Sequence, residues 1–300
     1  MPTTCHACDP ANPDRIFTPS ADGWRASFEP HFNGPPSVVN GGVAAGSLAC
    51  PALALAQDEG VRRPVLLRIN ARLRRPVPVA TDLLAVAAPG AEGAIDVTVQ
   101  NGAEALVVGT MRVADTGRPP EPGDALQPVP DHLAASLAVM SRIALEEPGA
   151  LAVRHEDHPF PRCYSCGPMN PRGLRIFPRT TATNAVSASW QPAAGHAEAS
   201  GAIPSATVAA ALDCSNAMAL SLAHEEMDGM RALEPLLASF DMHVLKVPPA
   251  GRPDAYRVVG LAAGADGRRK FSVSALFDAA GEPYAVAETA WVLLPKGSFG

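Results

Sequence analysis

Residues 203–220 read Ile-Pro-Ser-Ala-Thr-Val-Ala-Ala-Ala-Leu-Asp-Cys-Ser-Asn-Ala-Met-Ala-Leu, an Ala-rich run without Gly. It is long enough for about five helical turns, and Pro204 and Ser205 suit its first turn. A second helix is expected over about 43–58, entered through Val38-Val-Asn-Gly-Gly42 with Asn40 as a good N-cap, and Pro51 should kink it or end its first part. Strict alternation in Ala94-Ile-Asp-Val-Thr-Val-Gln100 marks a strand, and Asn101-Gly102 is a hairpin turn into the next. Strands are expected over about 65–73, 82–88, 94–100 and 105–114, then over 185–190, 239–245, 256–262, 270–277 and 284–294. Between these two groups lies a Pro/Gly-rich stretch over about 115–130. A helix follows over 131–147, with Leu133, Leu137, Met140 and Ile143 on one stripe. A loop is expected through His224 to Met230.

The chain repeats itself. Cys5-His-Ala-Cys-Asp-Pro-Ala-Asn-Pro13 returns as Cys163-Tyr-Ser-Cys-Gly-Pro-Met-Asn-Pro171, offset by 158 residues (163 − 5 = 158). Arg25-Ala-Ser-Phe-Glu-Pro30 returns as Ser187-Ala-Ser-Trp-Gln-Pro192, and Leu48-Ala49-Cys50 as Leu212-Asp213-Cys214. Three matches in the same order at nearly constant offset point to an internal duplication. The expected units are 1–114, a Pro-rich linker with one helix over 115–159, and 160–300. Each unit would hold a strand, a long helix and four strands able to form an antiparallel meander around that helix.

Composition narrows the function classes. Apolar residues make up 47% and charged residues 18% of the chain, enough for a sizeable core, with few aromatics. The formal charge is −6, and the longest basic cluster is Arg268-Arg269-Lys270, which argues against a nucleic-acid partner. No apolar run reaches membrane length and the first residues lack a hydrophobic signal region, so the expectation is the cytoplasm and no membrane partner. In that compartment the 6 cysteines are expected to be thiols rather than disulfides.

Asp213 is the single charge within the Ala-rich helix, on a face shared with Ala206, Ala209, Ala210, Asn216 and Ala217. The face is small, so another backbone or a ligand can approach closely. A buried carboxylate there requires a partner, a raised pKa or a chemical role. The two Cys-x-x-Cys pairs could supply four thiolates to one zinc with His6 as a spare ligand. The repeat separates them, however, so the expectation is no metal, with each segment capping its own half. Cys50 and Cys214 are expected to be small apolar fillers. His196, His224 and His243 show no spacing to Asp213 that implies a dyad. Arg72, Arg74 and Arg75 are either phosphate contacts or a solvated strand end.

Cys163-Tyr-Ser-Cys-Gly-Pro-Met-Asn-Pro-Arg-Gly-Leu174 and Gly34-Pro-Pro-Ser-Val-Val-Asn-Gly-Gly-Val43 resemble segments of hotdog-fold acyl-CoA thioesterases of the phenylacetyl-CoA and 4-hydroxybenzoyl-CoA type. The resemblance covers nearly the whole chain as two tandem copies. It implies an α+β tandem double hotdog: two central helices, each wrapped by a curved antiparallel sheet, joined into one continuous sheet. It also implies a helix-start amide that polarises the thioester carbonyl, and a carboxylate about two turns into the helix of the opposite unit. Carried onto this chain, the helix starts are Asn40-Gly41-Gly42 and Pro204-Ser205-Ala206, and the carboxylate positions are Ala49 and Asp213. Three departures stand out: Asn40 replaces the usual His, the second half lacks Gly-Gly, and the first half lacks the acid.

The defects are complementary, so one composite site should pair Asn40, Gly41 and Gly42 with Asp213, while the opposite site keeps neither part. Asn33, Val43, Ala209 and Asn216 are the expected substrate-binding residues, Asn33 being either an extra carbonyl donor or a turn residue. The implied activity is hydrolysis of an acyl thioester, acyl-CoA or acyl-carrier protein, without a cofactor. Asp213 would serve as general base or nucleophile. Alternatives are a catalytically silent acyl-CoA or lipid binder, and a hotdog enzyme of other chemistry, a hydratase or a cyclase. Double-hotdog units can associate further as homo-oligomers.

Overall fold

The computed structural model describes residues 7–12, 15–181, 185–198, 200–224, 233–295 and 297–298. The loop expected after His224, and Cys5 and His6 of the first Cys-x-x-Cys pair, lie outside these residues.

The first half contributes β1 (Phe17–Ser20), β2 (Gly23–Ala26), α1 (Gly41–Gly46), α2 (Ala49–Asp58), β3 (Pro64–Leu73), β4 (Leu83–Pro89), β5 (Ile95–Asn101) and β6 (Glu104–Asp115). After α3 (Asp131–Ala144), the second half contributes β7 (Arg179–Thr180), β8 (Ala185–Trp190), α4 (Ser205–Ala223), β9 (Leu233–Val244), β10 (Tyr256–Asp266), β11 (Arg269–Phe277) and β12 (Pro283–Pro295). All 12 strands form one antiparallel sheet in the order β1-β2-β4-β5-β6-β3-β9-β12-β11-β10-β8-β7. The order mirrors itself about the β3–β9 pair, where Arg68 faces His243 and Arg72 faces Ser239. Arg68 and Asn70 both donate to Asp241 across that seam, Arg68 through Nε at 2.8 Å and Asn70 through Nδ2 at 2.7 Å.

The two central helices lie on one face of this sheet. α4 packs on β8 to β12, and α2 covers β3 to β6. Its apolar residues make α4 long and hydrophobic enough to span a membrane, yet 72% of it is buried as the core helix of the second half. The stripe Leu133, Leu137, Met140 and Ile143 of α3 covers the opposite face of the second half, against Val259, Val273, Ala275 and Phe277. The alternation along β10 and β11 therefore serves two cores at once: Val258 and Leu276 face α4, whereas Val259 and Ala275 face α3.

The first helix starts earlier than expected, at Gly41, with the Asn40 side-chain oxygen accepting from the Val43 amide at 3.0 Å. It breaks between Gly46 and Ala49 rather than at Pro51. Pro51 has no N–H to give the Ser47 carbonyl, and the Cys50 amide takes that carbonyl instead at 3.1 Å. β9 starts six residues before the expected strand of 239–245, at Leu233. Glu234-Pro235 reads as a break in sequence, but residues 233–237 pair only with β12. On that unpaired edge Pro235 loses no ladder bond.

Candidate active site

The small face of α4 meets the start of α1. A Cβ on Gly42 would fall 2.8 Å from the Asp213 Cβ, and one on Gly46 would fall 2.6 Å from the Ala209 Cβ. The contact brings Asp213 of the second half beside Asn40, Gly41 and Gly42 of the first. Gly41 and Asn40 line a cavity together with Asp213, Cys163, Cys166 and Cys214. Much of its wall is apolar, with Val39, Leu73, Val77, Phe160, Met218, Leu237 and Trp291.

Asp213 is 3% exposed, and its Oδ1 has no hydrogen-bond partner among the described residues. Burial, then the negative charge of Cys163, push its carboxyl up to about 7, while the Gly42 amide, the Asn40 side chain and the Gly41 amide favour the charged form. Its local charge balance therefore comes from both halves.

Asn40 has two engagements. Its oxygen caps α1, while its Nδ2 lies 3.8 Å from the Cys163 sulfur and 3.9 Å from that of Cys214. One side chain thus caps α1 and also lines the cavity. Cys163 is pushed well down by the thiols of Cys166 and Cys214, which donate to it, and these two thiols are pushed up as donors. The three sulfurs lie within 4.8 Å of one another. The sulfur gathered with this Cys-x-x-Cys pair is that of the helix cysteine Cys214, not one from the first pair. Cys8, Cys163, Cys166 and Cys214 are free thiols, but Cys50 is disulfide-bonded, against the expectation of thiols throughout.

Gly42 does not line the cavity; it faces α4, and Gly41 faces Leu237. The glycines thus let two helices and a side chain close in. Asn33, Val43, Ala209 and Asn216 also do not line it. Asn33 gives its carbonyl to the Tyr164 amide at 2.6 Å. Val43 is buried within α1, and Ala209 packs against Gly46. Asn216 turns to the sheet, donating to the Leu212 carbonyl at 3.0 Å and to Ser274 Oγ at 2.8 Å.

Sequence reasoning missed His158 and Phe160, which come from the end of the linker. His158 Nδ1 accepts from the Phe160 amide at 3.1 Å, so Nε2 carries the proton, and Nε2 has no partner among the described residues. Burial lowers the pKa of His158, which favours the neutral ring. The only signal was its position, five residues before Cys163 in His-Pro-Phe-Pro-Arg-Cys. Arg75 also reaches the cavity wall and pairs with Glu104 at 2.8 Å.

At the start of α4 a second cavity is lined by Leu53, Gln57, Glu198, Pro204 and Ser205. Ala49 supplies no carboxylate there, as expected. Glu198 does, from the loop before α4, and burial pushes its carboxyl up to about 8.

No family model matches the chain, and no curated protein matches it. Solved structures do. It is similar to an acyl-CoA thioesterase II, TesB2, from Mycobacterium marinum, with 11% identity and a TM-score of 0.57 over 94% of this chain and 96% of that one. It is similar to the dehydratase domain of RzxB from Pseudomonas fluorescens, with 17% identity and a TM-score of 0.55 over 92% and 97%. A conserved protein with hot dog fold from Alicyclobacillus acidocaldarius gives 12% identity and a TM-score of 0.52 over 92% and 95%. At such identities these likenesses speak for the fold, and together with the mirrored 12-strand sheet and its central helices they make the chain a tandem double hotdog of the α+β class.

Proposed function

We propose that the protein hydrolyses an acyl thioester, acyl-CoA or acyl-carrier protein, at the cavity between α1 and α4. The observation that carries this reading is the buried Asp213, with one unpaired oxygen, set beside Asn40 and Gly41 on the wall of a largely apolar cavity. A carboxylate so placed can take a proton from water or attack the acyl carbon directly, and both routes release a free thiol. The Asn40 Nδ2 and the Gly41 amide are the nearby donors for the oxyanion that forms. Val39, Val77, Met218 and Trp291 would hold the acyl chain. The name of the TesB2 neighbour points the same way, at the level of the fold.

The test is free-thiol release from a panel of acyl-CoAs by wild type and by Asp213→Asn, which keeps the shape and removes the charge. Turnover should fall by two decades or more, on the order of 3 kcal/mol of barrier. Wild-type rates in Asp213→Asn would return this residue to a structural role.

A second reading has its own observation: His158 Nε2–H and Asp213 line the same cavity, which is the acid–base pair that a hydratase or dehydratase uses and that sequence spacing did not reveal. Hydration of an enoyl thioester lost in His158→Gln, with thiol release unchanged, would favour that chemistry.

A further inference from the structure

The thiols beside the cavity form a cluster that thioester hydrolysis does not use. Cys163, Cys166 and Cys214 are 2%, 3% and 9% exposed, and their sulfurs all lie within 4.8 Å of one another, with Cys163 and Cys214 at 3.4 Å. A Zn–S bond of about 2.3 Å in a tetrahedral site sets sulfurs roughly 3.8 Å apart. A disulfide would bring two sulfurs to about 2.05 Å and leave the third aside. The three sulfurs here are grouped as a set rather than as a bonded pair and a bystander.

The backbone around them is built for this grouping. The Gly167 amide donates to the Cys163 carbonyl at 2.9 Å, which closes the Cys-x-x-Cys-Gly turn. Any side chain at 167 would strike that turn, since its Cβ would lie 2.4 Å from the Cys163 nitrogen and 2.6 Å from the Cys163 oxygen. N–H donors near thiolate sulfurs are what a metal–sulfur centre requires of its surroundings. The Asn40 Nδ2 approaches two of the three sulfurs. Ser165 Oγ donates to the Ala210 carbonyl at 2.6 Å, fastening the turn to α4 one helical turn before Cys214.

We propose that Cys163, Cys166 and Cys214 bind one zinc-class divalent cation as a three-thiolate site on the cavity wall. Soft sulfur ligands in a dry, rigid turn select such an ion over magnesium or calcium. Each thiol still protonated in the free protein loses its proton to solvent as the ion binds, and no electron is transferred. The three sulfurs line the cavity, where Asp213 is the only carboxylate among the described lining residues, and a water from the cavity would complete the tetrahedron. The equivalent place in the first half cannot repeat the site, because Cys50, the counterpart of Cys214, is disulfide-bonded.

The experiment is metal analysis of the full chain carrying Cys50→Ala, so that a reductant cannot free a first-half counterpart of Cys214, purified with a thiol reductant and dialysed after loading with zinc, and in parallel with cobalt(II). One ion per chain is expected, with a sulfur-to-cobalt charge-transfer band. Both should be lost in Cys166→Ser and in Cys214→Ser, and both kept in Cys8→Ala, the first-half counterpart of Cys166. In case a serine variant unfolds, alkylation of the wild type with iodoacetamide reads the same point. Zinc should protect Cys163, Cys166 and Cys214 together and leave the reactivity of Cys8 unchanged. No bound ion after loading, a cobalt spectrum without the charge-transfer band, or full retention of zinc in both serine variants would each overturn the proposal. So would a Cys163–Cys214 disulfide in the reductant-treated, metal-free chain. Metal content is read without an activity assay, so this result stands apart from that of Asp213→Asn.

Discussion

Gly42 and Ala209 are in backbone contact: a Cβ on Gly42 would lie 2.4 Å from the Ala209 carbonyl oxygen. The catalytic geometry proposed above depends on that closeness, because it sets the distance from the first-half helix start to Asp213. Gly42→Ala should push α1 and α4 apart and cost about 1–3 kcal/mol of stability, as overpacking in a rigid core does. Thermal unfolding followed by circular dichroism checks this. A variant with unchanged melting and lost thiol release would instead put Gly42 in contact with substrate.

Asn40 offers a way to separate capping from chemistry. Asn40→Ser keeps a cap for α1 but withdraws the Nδ2 donor, so it should fold as the wild type does and turn over substrate at least tenfold more slowly. Asn40→Ala removes both and should cost a further ~1 kcal/mol of stability. Urea titration and steady-state thiol release on the same samples read the two effects independently.

Asn216 is expected to act through structure alone. Its Nδ2 joins the Leu212 carbonyl to Ser274 Oγ at a fully buried position, so Asn216→Ala leaves both without that donor. The loss should be about 1–3 kcal/mol of stability, with KM unchanged. A raised KM at unchanged melting would restore it as a substrate contact.

Glu198 tests whether chemistry is confined to one cavity. It is the carboxylate of the second cavity, which has no Gly-Gly helix start. Glu198→Gln should leave thiol release within a factor of about two of the wild type. A loss as large as that of Asp213→Asn would mean that both cavities turn over.

His243 gives a pH prediction. Burial lowers its pKa in the fold, against the pull of Asp241 and with the push of Arg68 and His132, while Glu288 pulls in the same direction as Asp241. The unfolded chain takes up this proton near pH 6.5, and the folded chain takes it up only at lower pH. The contribution to stability is therefore present above about pH 6.5 and is lost as the pH falls towards the folded pKa. His243→Gln removes the group, so its urea midpoint should drop less than that of the wild type between about pH 7.5 and pH 5.5.

The elements were legible where a single period governs a segment. The alternation of 94–100 and the apolar run of 203–220 became β5 and α4 with small shifts of their ends. Errors arose where a neighbour decides. Pro235 sits in a strand because that stretch has no partner on one side, which no local pattern encodes. The meeting of Asp213 with Asn40, Gly41 and Gly42 was anticipated from complementary losses in the two halves. The directions of Asn216 and Ala209 were not, because helical spacing gives a face but not what stands opposite it. His158 and the Cys163–Cys166–Cys214 cluster were hidden for another reason. The repeat set the two Cys-x-x-Cys pairs apart and left each as a cap of its own half, whereas the fold sets the second pair against a cysteine 48 residues further on (214 − 166 = 48).

The mirrored order of the sheet about β3 and β9 has a genetic corollary. When two identical chains make such a sheet, every substitution appears at both helix starts, and neither pocket can change without the other. One continuous chain removes that coupling. A gene encoding both halves can keep glycines at one helix entrance and an acid on the other helix only. Each such difference is a mutation that selection sees once, so the two pockets are free to become different organs of the same molecule.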